Sequence, residues 1–193
     1  TKAVHGPTYP VMGYVETLEA CLSHPHYKAP LKKLQGRGYA SGFWFNAGGE
    51  SSAQVNITED GNVVVTTGHP DIGGSRASIA NITAELLGID VNRVSVLIGD
   101  TATIGFSNLT GGSRVLFASA LVVTESTNQV IDILKDRASK IWNIDKEAIE
   151  WENGEARPAG DNAGKFKPLS LVELAEQATP TGGPIGAGHQ VNT

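Results

Sequence analysis

Residues 53–65 read Ala-Gln-Val-Asn-Ile-Thr-Glu-Asp-Gly-Asn-Val-Val-Val, and the remaining elements can be placed around them. The first five residues alternate between apolar and polar, which is the period-two pattern of a strand with one buried face. Asp60-Gly61 is a favourable turn pair, and the apolar run Val63–Val65 follows it closely. This stretch therefore predicts a β-hairpin.

Downstream of the hairpin, the spacing of apolar residues becomes helical, then strand-like, then helical again. Apolar residues three and four apart predict a helix over Ser75 to Leu87, and Gly88 is a suitable helix stop. Val94 to Ile98 is predicted as a strand. A long helix is predicted over Ser113 to Asn143, and its first half is apolar on all sides, which indicates burial. The expected fold is α+β, a mixed sheet with two core helices.

Shorter elements and domain limits complete the prediction. The further elements are a helix over Tyr14 to Ser23, a strand over Gly38 to Asn46, a hairpin over Glu147 to Arg157 around Asn153-Gly154, and a helix over Ser170 to Ala178 with a capping box between Ser170 and Glu173. We divide the chain into a leader or linker over residues 1–37, an α+β domain over residues 38–180 and a truncated Gly-rich end over residues 181–193.

Composition restricts the class of partner. The chain has 193 residues and a net charge of −5, which argues against a nucleic-acid partner and a polybasic membrane anchor. No run approaches the roughly 20 apolar residues of a membrane span, and no signal core opens the chain, so we expect a cytoplasmic location. A single cysteine, Cys21, excludes an internal disulfide and a Cys-based zinc or iron–sulfur site. The absence of an initial Met indicates a processed chain or a fragment.

One four-residue motif occurs twice, each time before a predicted core helix. The two copies are Gly73-Gly74-Ser75-Arg76 and Gly111-Gly112-Ser113-Arg114. A helix start carries unpaired N–H groups and partial positive charge, glycine permits positive φ, serine can cap, and arginine offers a planar charged fork. Two anion-binding corners for the two ends of a phosphorylated ligand would follow. A turn followed by a cap explains each copy equally well, and the sequence leaves both interpretations open.

Other polar residues give weaker indications. His69, Asp71, Asp100 and Asp161 have side chains that can bind metal, but their spacing matches no ligand set, so they are interpreted as polar groups of loops. No Ser-His-Asp arrangement or carboxylate pair is marked for catalysis. We therefore predict no catalytic and no metal-ligating residue.

Six landmarks in order carry a resemblance to a known family. They are Gly36-Arg37-Gly38-Tyr39-Ala40, Asp60-Gly61 with Val63 to Gly68, Asp71-Ile72-Gly73-Gly74, Leu87-Gly88, Asp100-Thr101, and Thr110-Gly111-Gly112-Ser113-Arg114. Their order and spacing resemble the molybdopterin-binding, catalytic subunit of the xanthine dehydrogenase/aldehyde oxidase family. The resemblance covers residues 36–143 well and most of the remainder loosely.

The resemblance implies a molybdenum hydroxylase. The implied cofactor is molybdopterin, often the cytosine dinucleotide form in bacteria, and the implied reaction hydroxylates an N-heterocycle or an aldehyde with oxygen from water. Iron–sulfur clusters and FAD would belong to partner chains, because this chain has one cysteine. The other implied partners are the remainder of the molybdenum subunit and a small-molecule substrate. Exposed surface on a fragment also indicates self-association.

The resemblance also implies roles for individual residues. Gly73-Gly74 matches the family's Gly-Gln-Gly turn, with its glutamine replaced or deleted. Thr110 to Ser113 match the loop whose N–H and hydroxyl groups surround the pterin and its phosphates, and Arg114 fits the Gly-Ser-Arg form of that loop. Asn81 stands in place of a glutamine on the following helix.

One landmark of the family is absent. The catalytic glutamate of the family lies in a Gly-x-Gly-Glu context, and the only Gly-Gly-Glu here, Gly48-Gly49-Glu50, is in the wrong place. We therefore expect a segment of a larger catalytic subunit that is inactive alone. The alternative is a non-catalytic pterin- or nucleotide-binding module, or a structural module of the same fold.

Overall fold

The computed structural model describes residues 8, 9, 11–42, 44 and 48–192. The chain forms two compact units, residues 1–44 and residues 45–193. The first contains helices α1 (Tyr14–Ser23) and α2 (Pro25–Lys28), and no residue of either helix is buried. The bounds predicted for α1 are confirmed. The domain limits drawn from the sequence remain predictions.

One predicted strand of the first unit is wrong where it can be checked. Residues 38–42 and 44 have no strand structure, and Phe43, Phe45 and Asn46 lie outside the described residues. Two hydrogen-bonded groups order this stretch in place of a strand ladder. Arg37 donates to the carbonyl oxygens of Tyr27 and Ala29, and the Tyr14 hydroxyl bonds the Tyr39 and Ser41 hydroxyls.

The second unit contains the remaining helices and strands. They are β1 (Glu50–Ile57), β2 (Val63–Thr67), α3 (Ser75–Leu87), β3 (Val94–Ile98), α4 (Val115–Trp142), β4 (Ile149–Glu152), β5 (Glu155–Pro158), β6 (Leu169–Ser170), α5 (Leu171–Glu176), α6 (Ala178–Thr181) and β7 (Ile185–Asn192). Short 3₁₀ turns lie at Val91–Arg93, Lys146–Ala148 and Gly160–Asn162. The predicted α3 and β3 have the observed bounds, and the long helix α4 is confirmed with ends within two residues of the prediction.

The main sheet has the strand order β3-β2-β1-β7. β1 and β2 form the predicted antiparallel hairpin, with Val55 opposite Val65. β2 and β3 are parallel, and α3 is the crossover between them, as a parallel pair requires. The mixed α+β fold predicted from the sequence is confirmed.

The Gly-rich end of the chain differs from its expectation. No element was predicted there, yet β7 pairs with the whole of β1, from Glu50 opposite Asn192 to Ile57 opposite Ile185. A Cβ atom at Gly186 would overlap the Asn56 side chain, so glycine allows the two strands to approach. The end of the described chain is therefore an integral strand of the sheet.

The hydrophobic core lies between the main sheet and the two long helices. α4 packs on β1 and β7, and α3 packs on β3 and α4. Val55 and Val65 are completely buried on the helix-facing side, and each contributes about 1.5 kcal/mol to folding by leaving water. On the opposite side of the sheet Leu97 is 55% exposed. In the part of the chain that the structure describes, no helix combines the length and apolar character required to cross a membrane.

The smaller sheet, β4-β5-β6, is antiparallel and packs against α4 through β4 and β5. The predicted hairpin turns at Asn153-Gly154, where both residues have positive φ. Trp151 Nε1 donates to the carbonyl oxygen of Leu87 at the end of α3, over 3.0 Å. The predicted capping box of α5 is confirmed, because Ser170 and Glu173 each accept from the other's backbone N–H.

Candidate functional site

Both Gly-Gly-Ser-Arg copies lie at the same edge of the main sheet. β2 and β3 are parallel, so their carboxyl ends, Thr67 and Ile98, lie side by side. β1 runs the other way and begins at this edge with Glu50. Loop 1 (residues 68–76) leaves β2, and loop 2 (residues 99–114) leaves β3. Ligands of α/β sheets bind outside the carboxyl ends of such strands.

Loop 1 presents two glycines in the left-handed conformation. Gly73 has φ 64° and Gly74 has φ 77°, values that L side chains rarely adopt. Both are exposed, and a Cβ atom on either would meet open space. Nothing within the described residues accepts a hydrogen bond from their N–H groups. Loop 1 therefore offers two backbone donors to a ligand.

The other two motif residues of loop 1 have different environments. Ser75 is buried, and its Oγ donates to the carbonyl oxygen of Pro70 over 3.1 Å, so it closes the loop from inside. Arg76 is exposed, and its Nε lies 3.8 Å from Asp71. Asp71 Oδ1 also accepts the N–H of Arg76 over 3.0 Å. The start of α3 is thus already capped by a carboxylate, and Arg76 is the exposed cation beside it.

Loop 2 folds across the start of β1. The Asn108 N–H donates to the carbonyl oxygen of Glu50 over 2.9 Å, and Asn108 Nδ2 donates to Glu50 Oε2 over the same distance. Gly112 (φ 61°) and Ser113 (φ 57°) are both left-handed, and Thr110 is exposed while Gly111 and Gly112 are half-buried. Two successive positive-φ residues turn the chain into α4.

Arg114 acts on its own chain. It is 2% exposed, and its guanidinium donates to the carbonyl oxygens of Gly48, Glu50, Asn108 and Leu109 and to Ser51 Oγ, over 2.7 to 3.3 Å. The sequence predicted that this arginine offers its fork to a phosphate. In the structure the guanidinium donates to backbone oxygens of the neighbouring segments. Arg114 therefore stabilises the conformation of loop 2 through hydrogen bonds to Asn108 and Leu109.

Two residues that the sequence did not single out for this site extend the Arg114 contacts. Ser51 Oγ, which accepts from Arg114, lies 2.9 Å from His69 Nε2. Burial lowers the pKa of the His69 imidazole, and the positive charge of Arg114 lowers it further. The ring is therefore neutral at pH 7. His69 had a detectable signal, a histidine directly after a strand at the loop edge, whereas Ser51 had none.

The residues at this edge fit an anionic ligand. Among the described residues, no three His, Cys, Asp or Glu side chains lie close enough together to hold a metal. The open N–H groups at Gly73 and Gly74, the glycine turn at Gly112 and the exposed Arg76 suit phosphate oxygens, which accept hydrogen bonds. Asn81, the counterpart of the family's helix glutamine, is exposed on α3.

Fold and loops together define an α+β domain whose glycine-rich loops leave adjacent parallel strands. A family model described as the molybdopterin cofactor-binding domain matches residues 23–192. The chain belongs to this family. The predicted molybdopterin-binding class is thereby confirmed.

Curated relatives agree with this family over parts of their length. The molybdenum-binding subunit PaoC of the aldehyde oxidoreductase of Escherichia coli is 40% identical over 70 residues, which cover 36% of this chain and 10% of that protein. One of the nicotinate dehydrogenase subunits of Pseudomonas putida is 29% identical over 139 residues, 72% of this chain and 10% of that protein. The chain thus spans about a tenth of the length of these relatives.

Solved structures share the fold. The CO dehydrogenase from Oligotropha carboxidovorans aligns with a TM-score of 0.66 and 21% identity, over 78% of this chain and 18% of that one. Quinoline 2-oxidoreductase from Pseudomonas putida 86 aligns with a TM-score of 0.60 and 23% identity, over 75% of this chain and 19% of that one. The likeness establishes that this architecture also forms part of larger oxidoreductase chains.

Proposed function

We propose that the chain is the cofactor-cradling segment of a molybdenum hydroxylase catalytic subunit. One observation carries the proposal: both Gly-Gly-Ser-Arg loops leave the carboxyl ends of adjacent parallel strands, in a domain of the molybdopterin-binding family. When bound, the molybdenum cofactor supplies two-electron oxidation of an N-heterocycle or an aldehyde, with water as the oxygen source. This chain's own residues hold it and supply no catalytic side chain.

The division of work between the two loops follows from their contacts. In loop 1 the N–H groups of Gly73 and Gly74 donate to the cofactor, while Ser75 closes the loop and Arg76 adds positive charge. In loop 2 the backbone of Thr110 to Ser113 is the cradle, and Arg114 fixes its shape. Phosphate oxygens are the acceptors that such backbone donors favour. A dinucleotide form, with cytosine at its far end, would occupy both loops at once.

Partners follow from the same proposal. Phe106 and Leu109 in loop 2 are 66% and 71% exposed, and Leu116 and Phe117 in the first turn of α4 are also exposed. Apolar surface of this kind is buried in an assembly, and we assign it to the remainder of the molybdenum subunit. Iron–sulfur clusters and FAD are assigned to separate chains, with a cytoplasmic location for the assembly. Self-association is the expected behaviour of the segment alone.

A second candidate is a binding or structural module without catalysis. One observation favours it: Arg114 is fully engaged within the chain. A doubled Gly-Gly-Ser-Arg motif can therefore be maintained for loop structure alone. The two candidates differ in one measurable property, the presence of molybdenum.

The test is the molybdenum content of the protein purified from its native source with all co-purifying chains, measured by elemental mass spectrometry. The proposal expects near-stoichiometric molybdenum together with iron-containing partners. A matched pair of variants, Gly112→Asn and Gly112→Asp, locates the site. Asparagine and aspartate both tolerate the left-handed conformation, but only aspartate places a negative charge against a phosphate. We expect lower occupancy in G112D than in G112N. Folded, molybdenum-free protein would support the second candidate instead.

A further inference from the structure

Three buried polar side chains connect loop 1 to loop 2. Arg114 Nη2 donates to Ser51 Oγ over 2.8 Å, and Ser51 Oγ lies 2.9 Å from His69 Nε2. The three residues are 2%, 0% and 1% exposed, respectively. His69 belongs to loop 1 and Arg114 ends loop 2, while Ser51 stands between them on β1. We call this set the Arg114–Ser51–His69 chain.

The positions of the protons in this chain can be derived. A serine hydroxyl has one proton, and Ser51 Oγ already accepts from Arg114. Its own proton therefore goes to His69 Nε2, and the neutral ring carries its proton on Nδ1. In the opposite tautomer Ser51 Oγ would accept from both neighbours and its own proton would be left without a partner. The chain thus runs in one direction, from Arg114 through Ser51 to His69.

The remaining proton of His69 is unpaired. Nδ1 is buried and has no hydrogen-bond partner within the described residues. A buried donor without an acceptor is unfavourable, and an apolar side chain of similar size would avoid it. A contribution to stability therefore does not explain why a histidine is present here. Its Nε2, however, accepts the hydrogen bond from Ser51 that connects loop 1 to loop 2.

We propose that Ser51 and His69 are positioning residues that couple the two loops, so that each loop holds its cofactor-binding shape only while the other does. The coupling acts through Arg114, whose remaining bonds fix Asn108 and Leu109 of loop 2. Neither residue needs to touch the cofactor. The inference rests on the proposed function only in assigning both loops to one ligand.

Protonation of His69 removes the acceptor at the end of the chain. Nε2 of the imidazolium carries a proton, so the Ser51 hydroxyl proton loses its partner, and a second positive charge is placed near Arg114. Other charged groups at this edge are engaged elsewhere: the Glu50 carboxylate accepts from Asn108 Nδ2, and the Asp71 carboxylate accepts from the Arg76 N–H. Acid should therefore loosen both loops together, although they are separated by more than twenty residues of sequence.

Amide hydrogen exchange of peptides from both loops tests the coupling directly. It is measured on the full protein with its co-purifying chains, for the wild type and for H69Q, H69L and S51A. Glutamine can still accept from Ser51 through Oε1, whereas leucine cannot. His189→Gln is the matched control, because His189 bonds Gln129 on α4 and takes no part in the Arg114–Ser51–His69 chain. We expect H69L and S51A to speed exchange about tenfold in peptides covering residues 70–76 and 108–114, and H69Q and H189Q to leave both near wild type.

The pH profile and the cofactor separate this inference from the proposed function. Between pH 7.5 and 5.5, after correction for intrinsic exchange rates, wild-type exchange should rise in both loops and H69Q should stay flat. The release of bound pterin should follow the same pattern if the wild type contains it. Faster exchange confined to loop 1, or an equal pH response in H69Q, overturns the coupling. Coupled loops in a protein that lacks molybdenum would leave the coupling supported and overturn the proposed function.

Discussion

Arg114 Nε donates to the carbonyl oxygen of Gly48 over 2.7 Å, although the two residues are 66 positions apart in the sequence. The same guanidinium also binds Glu50 at the start of β1 and Asn108 in loop 2. One side chain therefore donates to carbonyl oxygens of two segments that are distant in the sequence. The loop edge depends on it for its shape before any ligand is present.

Arg114→Lys should destabilise the protein by about 3 kcal/mol, because a buried ammonium group cannot reproduce the planar arrangement of donors and loses several of the hydrogen bonds that Arg114 makes. Guanidinium chloride unfolding of wild type and variant measures the difference. Arg76→Lys is the control, since Arg76 is exposed and its ion pair is long, and it should change stability by less than about 0.5 kcal/mol. Similar losses in both variants would contradict the role assigned to Arg114.

Acid should reduce the free energy of unfolding at a second place, the capping box of α5. The Ser170 N–H, and after it Lys167 and the Ser170 hydroxyl, lower the pKa of Glu173 from 4.5 to about 2. Because the folded-state pKa is lower, the contribution is complete above pH 4.5 and is lost as the pH falls towards 2. The carboxylate is 38% exposed, so solvent screening reduces it to about 1 kcal/mol.

Unfolding of wild type and Glu173→Gln, compared at pH 7 and pH 3, measures this contribution. The variant should be less stable at pH 7, and the gap should narrow at pH 3. Glu176→Gln on the same short helix is the control, because Glu176 has no part in the capping box. A gap that stayed constant with pH would show that the charge of Glu173 does not stabilise the cap.

Local patterns predicted most of the fold. The hairpin of β1 and β2, the bounds of α3 and β3, and the capping box at Ser170 all depend on residues close in sequence. β7 escaped prediction because its glycines weaken the alternating pattern, and its partner β1 lies more than a hundred residues away. A strand that depends on pairing with a distant strand has little local sequence pattern from which it can be predicted.

The sequence predicted where the two glycine-rich loops lie, and their binding of a cofactor stays a prediction. Glycines before helices mark the two loops, since positive φ at Gly73, Gly74 and Gly112 favours glycine. The inward orientation of Arg114 was not predictable, because its acceptors are carbonyl oxygens, which every residue has. The role of Ser51 was not predictable either, because its contacts with His69 and Arg114 form only when β1 lies between the two loops.

Replacing Gly88 by alanine should destabilise the protein much more than the same substitution at another glycine of similar conformation. A Cβ at Gly88 would lie 2.6 Å from the backbone nitrogen of Gly154. The end of α3 therefore approaches the turn of the smaller sheet closely at this point. Gly164 also has positive φ, at 75°, but its Cβ would meet nothing within 4 Å. Backbone strain of about 1 kcal/mol applies to both, and the clash adds about 1–3 kcal/mol at Gly88 alone. Thermal unfolding of Gly88→Ala and Gly164→Ala measures the difference, and equal shifts would disprove the close approach.

Asp71 should weaken anion binding while it stabilises α3. Its Oδ1 accepts the Arg76 N–H, and its negative charge belongs to the same loop as the open N–H groups of Gly73 and Gly74. Asp71→Asn retains an acceptor oxygen for the cap but removes the negative charge. We therefore expect its free energy of unfolding to change by less than about 0.5 kcal/mol, and the release of bound pterin from the purified protein to slow severalfold. Asp161→Asn, in a 3₁₀ turn next to the smaller sheet, should change neither quantity. Faster release from D71N would mean that the carboxylate organises loop 1 for its ligand, and that its cap matters more than its charge.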